Sequence, residues 1–280
     1  MNFFDKLFQR KPVVDLDELN RNLAPKLEKI RRPAVSLCKT VEKRNSKFGG
    51  QPTANSSVFE WPRDNGKPLA FLGQLDLAEI AKVYQYDWLG DRGSLLFFYD
   101  IVEMPWGFDP KDKGKWRVIF QAEPNNTISY PEDLTTESRL NEIYVSPKLV
   151  QILPNFDDPA VEALCLSDDE VDAYIDWDDG VSSSHHQVGG YPKPVQGNHM
   201  ELESQLASNG IYLGGVEGYE SDAAKKLESG ARDWKLLFQF DSDDDLGVMW
   251  GDCGRIYFWV QEQKAKQNDF ESCWLVLQCG

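Results

Sequence analysis

Five carboxylates crowd the stretch Asp241-Ser242-Asp243-Asp244-Asp245-Leu246-Gly247-Val248-Met249-Trp250-Gly251-Asp252. Asp241, Asp243, Asp245 and Asp252 fall at positions 1, 3, 5 and 12 of a calcium-loop spacing. Hard cations take several oxygen ligands at once, and alternate residues of an extended loop can turn toward one point. The spacing departs from an EF-hand in two places. Leu246 stands where the invariant glycine belongs, and Asp252 replaces the bidentate Glu. Strand-like segments flank the stretch where an EF-hand has helices. Two readings stay open: a divalent-cation site with Ca2+ as the ion, or a solvated acidic hairpin between buried strands. Trp250 lies inside the stretch, and Trp177 lies in a second acidic turn, Asp176-Trp177-Asp178-Asp179. Aromatic side chains beside acidic turns can anchor a protein interface; beside buried strands they read equally well as core.

His185, His186 and His199 are close in sequence. Zinc needs a tetrahedral set of ligands, and no Cys or second spaced pair stands near enough to complete one. The histidines therefore read as residues flanking the Gly189-Gly190 turn. Cys38, Cys165, Cys253, Cys273 and Cys279 form no C-x-x-C pair. Asp252 beside Cys253 disfavours its thiolate. The chain has no G-x-S-x-G elbow, phosphate-binding loop, dinucleotide fingerprint or H-E-x-x-H motif, and no catalytic residue is assigned.

A chain of 280 residues with 41% hydrophobic content can build a substantial core. The formal net charge is −16. Residues 1–47 hold 12 Lys+Arg and 6 Asp+Glu, giving +6; the remaining 18 Lys+Arg and 40 Asp+Glu give −22. An acidic body repels nucleic-acid phosphates and favours cations or basic protein partners. There is no secretory signal and no apolar run long enough for a membrane span, so the expected setting is the reducing cytoplasm.

Phe4, Leu7 and Phe8 share one helical face near the start, suited to docking on the chain's own domain or to hooking a partner or a membrane surface. Asp15 or Asp17 can cap a helix to about Ile30, interrupted at Pro25. Ala34 to Val41 is a candidate strand, and residues 1–45 together read as an N-terminal, mainly helical segment. Strands are expected at 69–75, 94–101, 116–122, 234–241, 255–260 and 272–278, the second buried on both faces because it is apolar nearly throughout. Asn65-Gly66 suits a two-residue hairpin. Asp76 caps a short helix, Ser167-Asp168-Asp169-Glu170 opens another, and Met200 to Asn209 forms a third that stops at Gly210.

The chain repeats itself. Phe48-Gly49-Gly50-Gln51-Pro52 is answered by Val188-Gly189-Gly190-Tyr191-Pro192, Leu69 to Asp76 by Trp234 to Asp241, and Gly93 to Tyr99 by Gly254 to Val260. Three matches in one order argue for duplication. The expected fold class is α+β, internally duplicated, with two related, mainly antiparallel β-sheet halves and peripheral helices. The main domain spans 46–280, with repeat 1 at about 46–150 and repeat 2 at about 186–280.

These motifs, with Val195-Gln196-Gly197, Met249-Trp250-Gly251-Asp252 and Gly254-Arg255-Ile256-Tyr257-Phe258-Trp259, resemble the YwqG-like family of unknown function over residues 46–280. The resemblance implies an internally duplicated α+β fold with no established catalytic residues, and a context that includes immunity proteins against secreted toxins. The Gly-Gly-x-Pro turn followed by Pro-Leu-x-Phe-Leu-x-Gln also looks like programmed-cell-death-protein-2 type domains, which implies acidic chaperoning of a ribosomal protein. The expected function is an acidic, cytosolic protein-binding module for a basic partner, with Trp177 and Trp250 as anchors. The alternative is a cation-dependent enzyme or calcium-binding protein built on Asp241, Asp243, Asp245 and Asp252.

Overall fold

Ser94-Leu95-Leu96-Phe97-Phe98-Tyr99 is apolar after its first residue and buried at every position. A strand of this kind needs cover on both faces, and the computed structural model, which describes residues 16–179 and 186–280, supplies it. The main sheet has ten strands: β1 (Arg32–Thr40), β2 (Lys47–Phe48), β3 (Ala70–Asp76), β4 (Ser94–Tyr99), β5 (Trp116–Gln121), β6 (Ile143–Ile152), β7 (Gln187–Val188), β8 (Trp234–Asp241), β9 (Arg255–Gln261) and β10 (Trp274–Gln278). Their order across the sheet is β10-β9-β8-β7-β1-β6-β2-β3-β4-β5, and every pairing is antiparallel.

The sequence reading expects two related sheet halves; the structure has one continuous sheet, in which β1 pairs with β6 on one side and with β7 on the other. The reading also takes residues 1–45 as mainly helical. Leu16–Glu28 is indeed a helix, α1; the strand expected from Ala34 to Val41 is present as Arg32–Thr40, at the centre of the sheet and paired with β6 along its whole length, so the segment is not mainly helical throughout. The Phe4–Leu7–Phe8 face and the Asp15 cap lie outside the described residues. Strand β6 falls in a stretch that reads as polar spacer, because it carries Pro147 and Lys148. Proline is tolerated there for a geometric reason. Leu37, opposite Pro147, donates its N–H to His186 O on the far side of β1. Pro147 is thus a non-hydrogen-bonded partner, and its nitrogen faces away from β1 toward the edge that the two-residue β2 leaves open.

The sheet curls so that its two ends meet. The Phe97 ring on β4 lies 4.8 Å from Phe238 on β8 and 5.1 Å from Phe258 on β9, although these strands are far apart in sheet order. Trp116 on β5 donates Nε1–H to Cys273 O at 2.9 Å, and Trp274 on β10 donates Nε1–H to Gly107 O at 2.8 Å. Their rings meet edge to face at 5.0 Å. The core between the two ends is dominated by aromatic and branched side chains.

The tight turns hold as expected. Gly49 and Gly50 have φ of +56° and +64°, Gly189 and Gly190 +65° and +71°. A Cβ on Gly49 would sit 2.2 Å from Asn141 O, so neither the conformation nor the space admits a side chain. Beyond each turn, buried glutamines catch the descending chain. Gln74 Oε1 accepts Thr53 N–H and Gln121 Oε1 accepts Asn55 N–H. Across the sheet, Gln239 Oε1 accepts Lys193 N–H and Gln278 Oε1 accepts Val195 N–H. Strands β3 and β8 both carry a bulge, between Phe71 and Gly73 and between Leu236 and Phe238.

Helix α2 (Leu77–Val83) is capped by Asp76, whose side chain accepts Glu79 N–H. Helix α3 (Asp168–Asp179) opens on the expected capping box: Glu170 Oε2 accepts Ser167 N–H at 3.0 Å. It docks on α1 through Tyr174, Leu23 and Leu27. Helix α4 (Met200–Ser208) lies on β8 and β10 and ends before Gly210, whose φ is +90°.

Candidate functional site

The acidic stretch forms a hairpin between β8 and β9. Asp243 and Val248 pair in a short bridge, and Asp245 N–H bonds back to Asp243 Oδ1. Asp243 is buried, and its carboxylate is fully engaged. Oδ1 receives Lys39 Nζ at 2.6 Å, and Oδ2 lies 3.1 Å from His186 Nε2. His186 Nδ1 accepts Asp241 N–H at 3.1 Å. A nitrogen that accepts carries no proton, so the ring proton sits on Nε2 and is donated to Asp243. Phe48 and Phe240 flank the imidazole at 4.7 and 5.0 Å. Burial alone would push the Asp243 carboxyl up, but the bonds from His186 and Lys39 outweigh it and hold the group well below the usual carboxylate range.

The other predicted residues do not converge on this point. Asp241 Oδ1 accepts Arg255 Nε at 2.9 Å. Asp245 is exposed and shares Lys39 with Asp243. Asp252 is exposed. Lys39 thus meets Asp243 and Asp245, and Arg255 meets Asp241. Among the described residues, no group of three or more His, Cys, Asp or Glu side chains is placed to hold a metal ion. Trp250 is not a surface anchor: it is 1% exposed, donates Nε1–H to Asp241 O, and packs on Tyr99 and Phe240. It is apolar volume at the hairpin base. The side chain of Trp177, and His185, lie outside the described residues. His199 is exposed, away from buried His186.

A second feature has no local signature in the sequence. A cleft of about 730 Å³ opens where β1, the β7 turn, β8 and α4 meet the loop after α2. Its walls include Tyr84, Trp88, Trp234 and Trp259, with Arg32 and Glu201 among the charged residues. The volume lies in the range of small-ligand and peptide pockets. Tyr86 fixes one wall to the β7 turn by donating its hydroxyl to Val188 O at 2.7 Å. The Arg32 guanidinium lies 4.0 Å over the Tyr191 ring. Glu201 is half-buried, with burial pushing its carboxyl above the ordinary 4.5. Trp259 is 1% exposed, and its Nε1–H has no acceptor among the described residues. The cleft is assembled from segments spread from Arg32 to Glu262, so spacing could not disclose it; the aromatic residues after α2 and in β8 and β9 were the available signal.

On α4, Glu203 is buried beside Tyr219, whose hydroxyl lies 3.4 Å from Oε1. Its Oε2 has no partner among the described residues. Burial, reinforced by neighbouring Glu201, raises this carboxyl from 4.5 to about 7, against the opposing bond from Tyr219.

No helix among the described residues is long and apolar enough to cross a membrane. No curated protein matches the chain. A family model described as a domain of unknown function, DUF1963, matches residues 46–279, which takes in strands β2 to β10, the hairpin and most of the cleft. With the match covering well over half of its length, the chain belongs to the DUF1963 family.

Proposed function

We propose that this protein is a non-catalytic, cytosolic protein-binding module for a basic partner. The observation that carries the reading is helix α3. It holds seven Asp or Glu residues and no Lys or Arg. Its inner side docks on α1 through Tyr174, while Asp168, Asp169 and Asp172 stand exposed. Such a face raises the encounter rate with a cationic surface. The body charge of −22 beyond residue 47 acts in the same direction. Likeness to YwqG-like proteins and to programmed-cell-death-protein-2 type domains supports a binder that neutralises or chaperones a basic protein.

The cation-dependent alternative gains no support from the hairpin geometry, because a metal there would have to displace Lys39, His186 and Arg255 from their carboxylates. The binding reading is tested by association kinetics with a captured partner. Raising salt is expected to slow association strongly and dissociation little. Reversing Asp168, Asp169 and Asp172 to Lys is expected to slow association by about tenfold without lowering Tm. An association rate indifferent to both would sink it.

We also infer that the two sheet ends descend from one repeated unit. The matched Gly-Gly turns, bulges and chain-catching glutamines support this, and paired Gln74→Leu and Gln239→Leu substitutions test it.

A further inference from the structure

We propose that the pocket between Thr53, Asp76 and Ser94 receives the guanidinium of an arginine residue presented by a basic protein, in the place that Arg255 fills at the other end of the sheet. The proposal rests on the protein-binding reading above and gives it a site.

The two ends of the sheet hold matching positions around their buried glutamines. Asp76 stands opposite Ser94 in the β3–β4 register, and Asp241 stands opposite Arg255 in the β8–β9 register. On the next strand outward, Gln121 faces Ser94 and Gln278 faces Arg255. Thr53 N–H bonds to Gln74 as Lys193 N–H bonds to Gln239. Arg255 therefore shows what such a position holds. It donates Nε–H to Asp241 Oδ1 and Nη1–H to Lys193 O, both at 2.9 Å. At the other end the side chain is only a serine. A pocket of about 520 Å³ opens there, and Thr53, Gln74, Asp76 and Ser94 all line it.

The acceptors are in place without their cation. Asp76 is half-buried and receives Glu79 N–H and Asn45 Nδ2–H. Both donors are neutral, and no salt bridge reaches Asp76 among the described residues. Ile128 N–H bonds to Pro52 O, which makes Thr53 a non-hydrogen-bonded partner of Thr127. The Thr53 carbonyl thus points away from Thr127, to the side where its N–H meets Gln74. Ser94 is 1% exposed, and its hydroxyl has no partner among the described residues. The nearby cations are largely committed: Lys47 is paired with Glu142 and Arg44 with Glu42. Exposed Lys43, also in the lining, opposes a further cation. An anion would meet a carboxylate and a carbonyl oxygen, and both repel it. A guanidinium fork reaches the two acceptors at once, as Arg255 does, whereas an ammonium is a single point of charge.

The test uses the full-length protein and labelled glycine-alanine heptapeptides with Arg, Lys or norleucine at the centre, followed by fluorescence anisotropy, with free arginine as competitor. The Arg peptide is expected to bind at least about tenfold more tightly than the Lys peptide, and norleucine more weakly still. Free arginine is expected to displace the Arg peptide while binding less tightly than it does. Ser94→Arg installs at this end the side chain that Arg255 supplies at the other, and is expected to abolish binding. Asp76→Asn, which keeps a helix cap, is expected to weaken the Arg peptide about tenfold. Tm and circular dichroism establish that each variant is folded; should Ser94→Arg unfold, Asp76→Asn alone decides. The proposal is overturned by no binding of the Arg peptide, by equal binding of Arg and Lys, by free arginine binding more tightly than the peptide, or by binding that a folded variant leaves untouched. The Lys reversal of Asp168, Asp169 and Asp172 separates the two readings. If whole-partner association slows in that variant but is unchanged in Ser94→Arg, the module reading stands and the pocket assignment fails. If neither changes association, both fail.

Discussion

Lys39 Nζ stands 2.6 Å from Asp243 Oδ1, joining β1 to the β8–β9 hairpin across 204 residues of sequence. The same Asp243 receives the His186 ring N–H, so one buried carboxylate ties three segments. From sequence, Asp243→Asn combined with Asp245→Asn is expected to leave the fold intact or relieve repulsion. The structure reverses this for Asp243, whose side chain is 3% exposed, and keeps it for Asp245, at 71%. Asp243→Asn should destabilise by about 1–3 kcal/mol, because an amide cannot accept from both Lys39 and the buried His186 N–H, although Lys39 keeps Asp245. Asp245→Asn should change stability by less than about 1 kcal/mol. Urea unfolding of the two single variants checks the contrast. Since Asp243 is held low, its contribution is present above the ordinary 3.8 and is lost as acidification proceeds below that value.

Glu203 gives the opposite pH dependence. Its folded carboxyl is held at about 7 against an ordinary 4.5, so the folded state keeps the proton longer than the unfolded state. The contribution is complete below about 4.5, falls as pH rises, and is gone once pH passes about 7. At about 1.4 kcal/mol per pH unit, the gap amounts to about 3 kcal/mol. Glu203→Gln should therefore raise stability at pH 8, leave it little changed at pH 4.5, and flatten the profile between. A variant less stable than wild type at pH 8 would contradict this.

Calcium should leave the melting temperature where it is. Asp241 and Asp243 already hold Arg255, Lys39 and His186, and among the described residues no three His, Cys, Asp or Glu side chains are placed to hold an ion. A rise of several degrees at millimolar calcium, abolished by Asp245→Asn, would restore the metal reading.

Gln74→Leu and Gln239→Leu should have matching effects. Each glutamine catches a backbone N–H just past its own Gly-Gly turn, at 2.8 Å in both cases. Each substitution leaves one donor unpaired, worth about 1–3 kcal/mol. Chemical denaturation giving a large loss for one and none for the other would argue against a shared ancestry of the two ends.

What the sequence disclosed was local. The glycine pairs, the Asn65-Gly66 hairpin, the Ser167–Glu170 capping box and the apolar run of β4 each carry their instruction within a few residues. What it withheld depends on distance. The partner of Asp243 is a lysine in another segment, and the acidic spacing alone suggested a metal in its place. Strand β6 stayed hidden because its open edge lets it keep Pro147 and polar residues that a fully paired strand would exclude. The burial of Trp250 follows from Tyr99 arriving from the other end of the sheet, which local pattern does not encode. The cleft was illegible for the same reason: Arg32, Trp88, Glu201 and Trp259 become neighbours only after the sheet has curled.

Strand β1 lies upstream of the matched family region, which begins at residue 46, yet it is the member that joins the two ends of the sheet. A chain trimmed to the family boundary would lose its middle strand. Strands β6 and β7 would then face an empty slot, each with a bared row of donors and acceptors. Bare margins of this kind recruit strands from other molecules. The trimmed chain should accumulate as aggregates, and a separate peptide covering residues 32–40 should rescue it by filling the slot. In this protein the unit that folds is larger than the unit that is recognised.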